Sequence, residues 1–348
     1  MTNSEGDMVV KPCTPDEIAF YDSVAAHPDL RPYIPAYFGA LSLRNDTSTA
    51  AAPLLLPPET KTKEIKHAKT ASVPVVNHAW KPSGGGKIET EQALVLENVA
   101  SGFTKPNILD VKLGARLWAD DAPLEKRAKL DKVASETTSQ PLGFRIAGMK
   151  VYHGSGLPNG DRLDTGGYKI FDKNYGRALS VDRVEDGFKE FFRLQSSSPA
   201  SSQIRKVIKR FISDLEGLVS VLAAEESRMY SASLLFVYEG DSTALQGSLA
   251  REAEMVEAHQ GQKGRVDGEA EPEELKQGSD NAQDRQAEGK GTASEDSSSD
   301  DGGRPNFPAI QNVRLIDFAH AQWTAGQGPD ENLLHGVKSV VSVLQALL

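Results

Sequence analysis

An acid set inside an apolar strand is stable only where something pairs it, and this chain has two such strands. One is Pro106-Asn107-Ile108-Leu109-Asp110-Val111-Lys112-Leu113-Gly114, and the other is Leu315-Ile316-Asp317-Phe318-Ala319-His320, about two hundred residues later. Side chains alternate along an extended strand, so Leu109, Val111 and Leu113 face a core while Ile108, Asp110 and Lys112 share the opposite face. A carboxylate and an ammonium are thereby aimed at one spot. Asp317, between Ile316 and Phe318, is costly to bury unless it is paired or bound to a metal. Two buried acids and a lysine point to phosphate and Mg²⁺ chemistry.

The surrounding pattern mixes helix and strand. Met8 to Lys11 reads as a short strand, and Pro15 with Asp16 and Glu17 opens a helix through Ile18, Phe20, Tyr21 and Val24. Ala93 to Val99 and Gly143 to Tyr152 read as further strands. Residues 203 to 223 place Ile204, Val207, Ile208, Phe211, Ile212, Leu215, Leu218 and Leu222 at steps of three and four, as an amphipathic helix requires. Asn332 to Leu348 repeats that spacing, so both helices are scaffold.

The net charge of -10 belongs to one segment. Residues 252 to 303 hold 15 acids and 5 bases; removing these from the 49 acids and 39 bases of the whole chain leaves 34 of each sign. This acidic stretch is rich in Gly and Ser and has almost no aromatic residues, so it is expected to stay unfolded, as an insertion over about 242–305. It is also the place where protein partners would bind. A second insertion, about 46–86, ends in Ser83-Gly84-Gly85-Gly86-Lys87. This is no phosphate loop, since Ile88 follows the lysine where Ser or Thr is needed and the first glycine of the motif is missing.

The single Cys13 cannot form an internal disulfide, which favours a reducing compartment, the nucleus and cytoplasm. No apolar run is long enough to cross a bilayer, and residues 1 to 7 lack a signal-peptide core. Direct nucleic-acid binding is not expected, because no net basic domain is present. A monomer is expected.

The spacing P-x-x-x-D-x-K-x-G, carried by Pro106, Asp110, Lys112 and Gly114, resembles the signature of the inositol polyphosphate kinases, and Ile316 to His320 resembles their metal-binding strand. A third element of that family is S-S-L-L-F-V-Y-E-G, which appears here as Ala232 to Gly240 with Ala replacing the first Ser. All three stand in the family's order over most of the chain. The resemblance implies an α+β fold of two lobes, distantly like that of protein kinases. Residues 1–99 would form the ATP-binding lobe and hinge, and 100–348 the second lobe. The family sets a pair of strands and a glycine loop before its nucleotide lysine, whereas here only ten residues precede Lys11. An N-terminal lobe that looks truncated is therefore expected.

Residue by residue, the resemblance implies that Lys11 binds ATP with Glu17 orienting it, and that Glu97 and Val99 form the adenine hinge. Asp110 would contact the ribose, Lys112 the acceptor and the transferred phosphate, and Asp317 with Ser233 the Mg²⁺. The acceptor segment, 115–140, would hold its phosphates with Lys126, Arg127, Lys129 and Lys132, helped by Lys173, Arg177 and His320. A run of charges like 125–133 is otherwise an ordinary solvated helix face, and an Asp110–Lys112 pair on an exposed strand would contribute under about 1 kcal/mol. Phosphoryl transfer depends mostly on positioning and electrostatics, so Lys112 could serve without a dedicated base, and whether Asp110 takes the hydroxyl proton stays open. Within the family the segment from 115 to 150 looks most like that of the multikinases, which carry inositol trisphosphate to tetrakis- and pentakisphosphate. An inositol hexakisphosphate kinase is the second reading. A noncatalytic kinase-like scaffold in transcriptional regulation is the third.

Overall fold

The computed structural model describes residues 2–3, 5–42, 90–154, 163–194, 201–266 and 309–348, with side chains of the 201–266 segment described to 258. The expected insertion at 46–86 and most of the acidic one lie outside these residues. The described chain runs β1 (Met8–Pro12), α1 (Pro15–Ser23), β2 (Tyr37–Ser42), β3 (Gln92–Glu97), β4 (Pro106–Leu113), α2 (Leu124–Ser135), α3 (Ser139–Leu142), β5 (Phe144–Tyr152) and β6 (Tyr168–Phe171). It continues α4 (Lys173–Arg177), α5 (Val184–Phe192), α6 (Ser202–Ala224), β7 (Ser227–Met229), β8 (Ser233–Glu239), α7 (Ser242–Val266), β9 (Gln311–Ile316), β10 (Ala321–Trp323) and α8 (Glu331–Ala346).

Of the three antiparallel sheets among the described residues, one pairs β10 with β7 and the two larger ones give the two lobes. The first of these two has the order β1-β3-β2, and the second β6-β5-β4-β8-β9. In the first, Lys11 is in register with Leu94, and Met8 with Glu97. Helix α1 follows because Thr14 caps it, its side chain accepting from Glu17 N, with Pro15 at the first turn. Ahead of β1, Thr2 bridges Val9 around a turn closed by Asn3, whose Oδ1 accepts from Gly6 N and Met8 N. The described residues contain no longer hairpin there.

In the second sheet β4 is the central strand, which explains why both of its faces are buried. Leu109, Val111 and Leu113 lie at 0% exposure against the helical layer, where α6 and α8 pack through Phe211, Leu215, Leu218, Val337, Val340 and Leu344. Each such side chain contributes about 2 kcal/mol by leaving water. The other face carries Ile108, Asp110 and Lys112, and there Ile108 clusters with Val99 and Val237. The alternation is the expected one; Val99, Ala100 and Phe103 after β3 pack over Ile108, Asp110 is buried, and Lys112 stays partly open.

The glycines of the signature have steric reasons. Gly114 has φ +94°, and a Cβ there would meet Asn332 Nδ2 at 2.6 Å. Asn332 must sit that close because its Oδ1 accepts from both Ala115 N and Arg116 N. At the other end of β4, the Glu239 carboxylate accepts from Thr104 N and Lys105 N, so the Tyr-Glu-Gly of β8 anchors the entry to β4.

One expectation is corrected. The segment from 242, read as the start of an unfolded insertion, is the helix α7 through Val266. Asp241 caps it by accepting from Thr243 N and Ala244 N, Leu245 is buried at 2% exposure, and Arg210 of α6 pairs with Glu252. Acid content averaged over the whole stretch hid a capped helix with one buried face. No helix among the described residues is long and apolar enough to cross a membrane.

Candidate active site

The two acid-bearing strands meet between the lobes. Lys11 Nζ lies 2.9 Å from Glu17 Oε1 and 2.8 Å from Asp317 Oδ1. Lys112 Nζ donates to the Ser231 carbonyl at 2.9 Å and approaches Asp317 Oδ2 at 3.3 Å. Each oxygen of Asp317 is therefore held by a lysine from a different lobe. Glu17, only 1% exposed, also accepts from Phe318 N, so the helix α1 is tied to the residue next to Asp317. Asp317 and Ser231 both have positive φ, at 68° and 59°. Such residues cluster where a site needs a fixed side chain or carbonyl direction.

The electrostatics separate the two acids. Burial alone would raise the Asp317 carboxyl, but the ammoniums of Lys11 and Lys112 outweigh it and hold it at about 2. Lys11 responds in kind: burial opposes its charge, and Asp317 and Glu17 overcome that and raise it. Asp110 is 2% exposed, and burial pushes it up to about 6, with the Asp317 charge adding to the rise while Lys112 and Arg145 oppose it. The Ser233 hydroxyl is near enough to Asp110 to help lower its pKa, though neither it nor Asp110 Oδ1 makes a hydrogen bond of regular geometry, so both buried atoms can turn to a ligand.

Arg145 was missed in the sequence. It is in register with Lys112 on β5, donates to Ser139 Oγ at 2.8 Å, and is depressed to about 10 by burial and by the Arg177 charge beside it. A charge between Phe144 and Ile146 was the available signal, the same one that marked Asp317. Arg145 and Lys112 thus bring positive charge to Asp110, with Arg177 beside Arg145. Lys173 shares α4 with Arg177, and among the described residues no hydrogen bond or ion pair joins it to this group.

The α2 residues divide. Lys126 Nζ lies 3.2 Å from His320 Nε2, which brings the expected acceptor segment to the end of the Asp317 strand. Arg127 donates to the Ala122 and Asp120 carbonyls of the loop before the helix and lies over the Trp118 ring, which holds its guanidinium beside that loop. Lys132 pairs with Glu136 at 3.8 Å, and Lys129 is exposed. The helix buries only Ala134, leaving Leu124 at 80% exposure.

Two cavities open near the hinge and near His320, neither lined by Lys11, Lys112, Asp110 or Asp317. One of about 510 Å³ is bounded by the hinge residues Glu97, Asn98 and Val99 with Phe103 and Ile310. The hinge is braced, since Glu97 Oε2 accepts from Ala36 N and Asn98 N donates to Asp7 O. The other, about 500 Å³, opens beside His320 between α1 and the loop before α2.

For a divalent cation, Asp317 supplies a carboxylate at the edge of the cleft, and Ser233 an unfilled hydroxyl next to Asp110. No group of three His, Cys, Asp or Glu side chains that could hold a metal occurs among the described residues. A donor set this small fits Mg²⁺, which commonly takes one or two carboxylates and completes its shell with substrate phosphates and water.

Comparisons with known proteins give the family. The sequence profile of the inositol polyphosphate kinases matches residues 93–345. Inositol polyphosphate multikinase from Saccharomyces cerevisiae is 29% identical over 99% of this chain and 93% of its own. Human inositol hexakisphosphate kinase 1 is 29% identical over 73% of this chain, which spans 52% of that relative's length. A crystal structure of inositol phosphate multikinase Ipk2 from S. cerevisiae, in complex with ADP and Mn²⁺, superposes with a TM-score of 0.61 at 26% identity, covering 98% of this chain and 99% of that one. The chain belongs to the inositol polyphosphate kinase family and is a two-lobed α+β kinase of that family.

Proposed function

We propose that this kinase is a multikinase, transferring phosphate from ATP to inositol trisphosphate and onward to tetrakis- and pentakisphosphate. The observation that carries the chemistry is the sharing of Asp317 between Lys11 and Lys112. One lysine faces the nucleotide lobe and the other the acceptor side, so the transferred phosphoryl group passes between two ammoniums that neutralise its spreading charge. The yeast multikinase, similar over nearly the whole of both chains, supports the choice of substrate.

In this reading Glu97 and Val99 hold adenine through the backbone of the hinge, and Asp110 offers its unfilled oxygen to a ribose hydroxyl. Asp317, with Ser233 nearby, would hold Mg²⁺, which when bound supplies charge neutralisation on the phosphate oxygens. Because both oxygens of Asp317 are engaged by lysines, a bound cation must share or displace one of those contacts. Arg145, Arg177, Lys126 and His320 surround the acceptor with positive or hydrogen-bonding groups, while Lys129, Lys132 and Lys173 provide outer charge. A nuclear and cytoplasmic protein is consistent with the lone Cys13.

The test is chromatographic identification of products from inositol 1,4,5-trisphosphate with Mg²⁺-ATP. Stepwise tetrakis- and pentakisphosphate are expected. Product from hexakisphosphate alone would replace this reading with the hexakisphosphate kinase one, which the human relative favours. No turnover of either would leave the scaffold reading.

A further inference from the structure

Helix α1 buries three residues, Glu17, Phe20 and Tyr21, and all three meet Phe318 of the second lobe. Glu17 Oε1 accepts from Phe318 N at 3.3 Å, the Phe20 ring stacks on the Phe318 ring with centroids 4.6 Å apart, and Tyr21 stands edge-on to it at 5.4 Å. Phe318 follows Asp317, whose φ of 68° is one that a non-glycine residue keeps only where its surroundings fix it. The clamp on Phe318 therefore also bears on the direction of the Asp317 carboxylate. From the same helix Glu17 reaches the Lys11 ammonium that this carboxylate shares.

The stack continues outward. Phe20 also stacks with Trp323 of β10, at 5.1 Å, and Trp323 with the ring of His27 in the turn after α1, at 3.4 Å. The column Phe318, Phe20, Trp323, His27 thus takes its rings from the two lobes in turn. Two polar contacts fix its register: Trp323 Nε1 donates to Ser23 Oγ at 2.7 Å, and His27 Nδ1 donates to Glu225 Oε2, just past the end of α6, also at 2.7 Å. Apolar packing alone needs neither bond. Both are directional, so α1 cannot slide along the seam without losing them. In protein kinases a strand lysine and a glutamate on the following helix must both be in place for phosphoryl transfer, and the position of that helix decides whether they are. We propose that the column from Phe318 to His27 is the positioning device that docks α1 on the second lobe and so sets Lys11 and Glu17 against Asp317. The proposal rests on the placement of the nucleotide at Lys11 and not on the choice of acceptor.

Calorimetry with ADP tests it on the intact chain, with no acceptor present. Trp323→Leu should weaken ADP binding about tenfold, the scale of one charge-assisted contact to phosphate. Trp323→Phe keeps a ring in the column and should return to within about twofold of the wild type. His27→Ala, at the partly exposed end, should lose about threefold, and it carries the test if thermal melting shows Trp323→Leu unfolded. A column that acts through Glu17 predicts that Trp323→Leu adds little to Glu17→Gln, whereas plain packing predicts losses that add. Full ADP affinity in folded Trp323→Leu or His27→Ala, additive losses, or a wild type that binds no ADP would overturn the proposal. The multikinase reading fails separately, on the products the wild type makes from inositol phosphates.

Discussion

Lys11 Nζ lies 2.8 Å from Asp317 Oδ1, joining β1 to the end of β9 across 306 residues of sequence. The same ammonium holds Glu17, which is 1% exposed and, among the described residues, otherwise accepts only from Phe318 N. Lys11→Met should lower kcat/KM for ATP about 100-fold and destabilise the fold by about 2 kcal/mol, because it strands a buried carboxylate. The Lys11→Met/Glu17→Gln double variant should regain stability without regaining activity. Denaturant melts beside ATP kinetics separate the two effects, and a double variant no more stable than the single one would show that Glu17 is satisfied without Lys11.

Asp110 holds its proton more tightly in the fold than in the unfolded chain, at about 6 against the ordinary value of 3.8, because it is buried. The folded state therefore binds more protons between these values, and stability falls as pH rises through that window. Below about pH 4 the carboxyl is protonated in both states and costs nothing. Asp110→Asn should thus be more stable than the wild type at pH 8, by about 1 to 3 kcal/mol, with the gap closing toward pH 4. It should also lose most of its activity. Equal melting curves at pH 8 would mean that Lys112 and Arg145 already compensate the buried charge.

The site was legible in the sequence wherever a charge interrupts an apolar strand, as at Asp110 and Asp317. The helices α6 and α8 followed from spacing alone. Arg145 obeys the same rule as Asp317 and was passed over because the strand around it was read only for its apolar residues. The placement of Arg127 does not follow from its neighbours, since the loop carbonyls that hold part of its guanidinium come from the turn of the chain before α2. The charge run at 125–133 likewise does not show which lysine reaches His320. Helix α7 was lost by averaging composition across a capped segment and its polar continuation.

Arg145 and Asp110 are coupled, and their coupling can be read from a pH profile. The guanidinium lowers the Asp110 pKa that burial has raised. Arg145→Gln should move the acid limb of the kcat/KM profile to higher pH, if activity needs Asp110 ionised. It should raise KM for the inositol phosphate about tenfold or more while leaving KM for ATP within about twofold, as loss of a charge-assisted contact predicts. Arg145→Lys should recover part of both effects. A rise confined to KM for ATP would place Arg145 on the nucleotide side instead.

Lys112 makes two contacts, to the Ser231 carbonyl and to Asp317 Oδ2. If its main work is to meet charge that develops during transfer, Lys112→Ala should lower kcat by about 10² to 10³ while changing nucleotide affinity little. Single-turnover rates beside equilibrium binding of a fluorescent ATP analogue measure the two separately. Loss of nucleotide binding equal to the loss of rate would assign Lys112 to ground-state binding.

Helix α7 offers a test of the acidic segment independent of chemistry. Leu245 is 2% exposed and belongs to the main core, whereas Val256, further along the same helix, is 41% exposed. A helix docked through its first turns predicts an uneven cost of truncation. Leu245→Ala should destabilise the protein by about 2 to 4 kcal/mol, since it leaves a cavity in packed surroundings. Val256→Ala should stay within about 0.5 kcal/mol, as exposed substitutions do. Arg210→Ala, which removes the partner of Glu252, should fall between them at about 1 kcal/mol, because the pair is partly exposed. Urea melts of the three variants decide it, and a Leu245→Ala chain as stable as the wild type would mean that α7 contributes nothing to the fold and that its sequence is free to serve a partner.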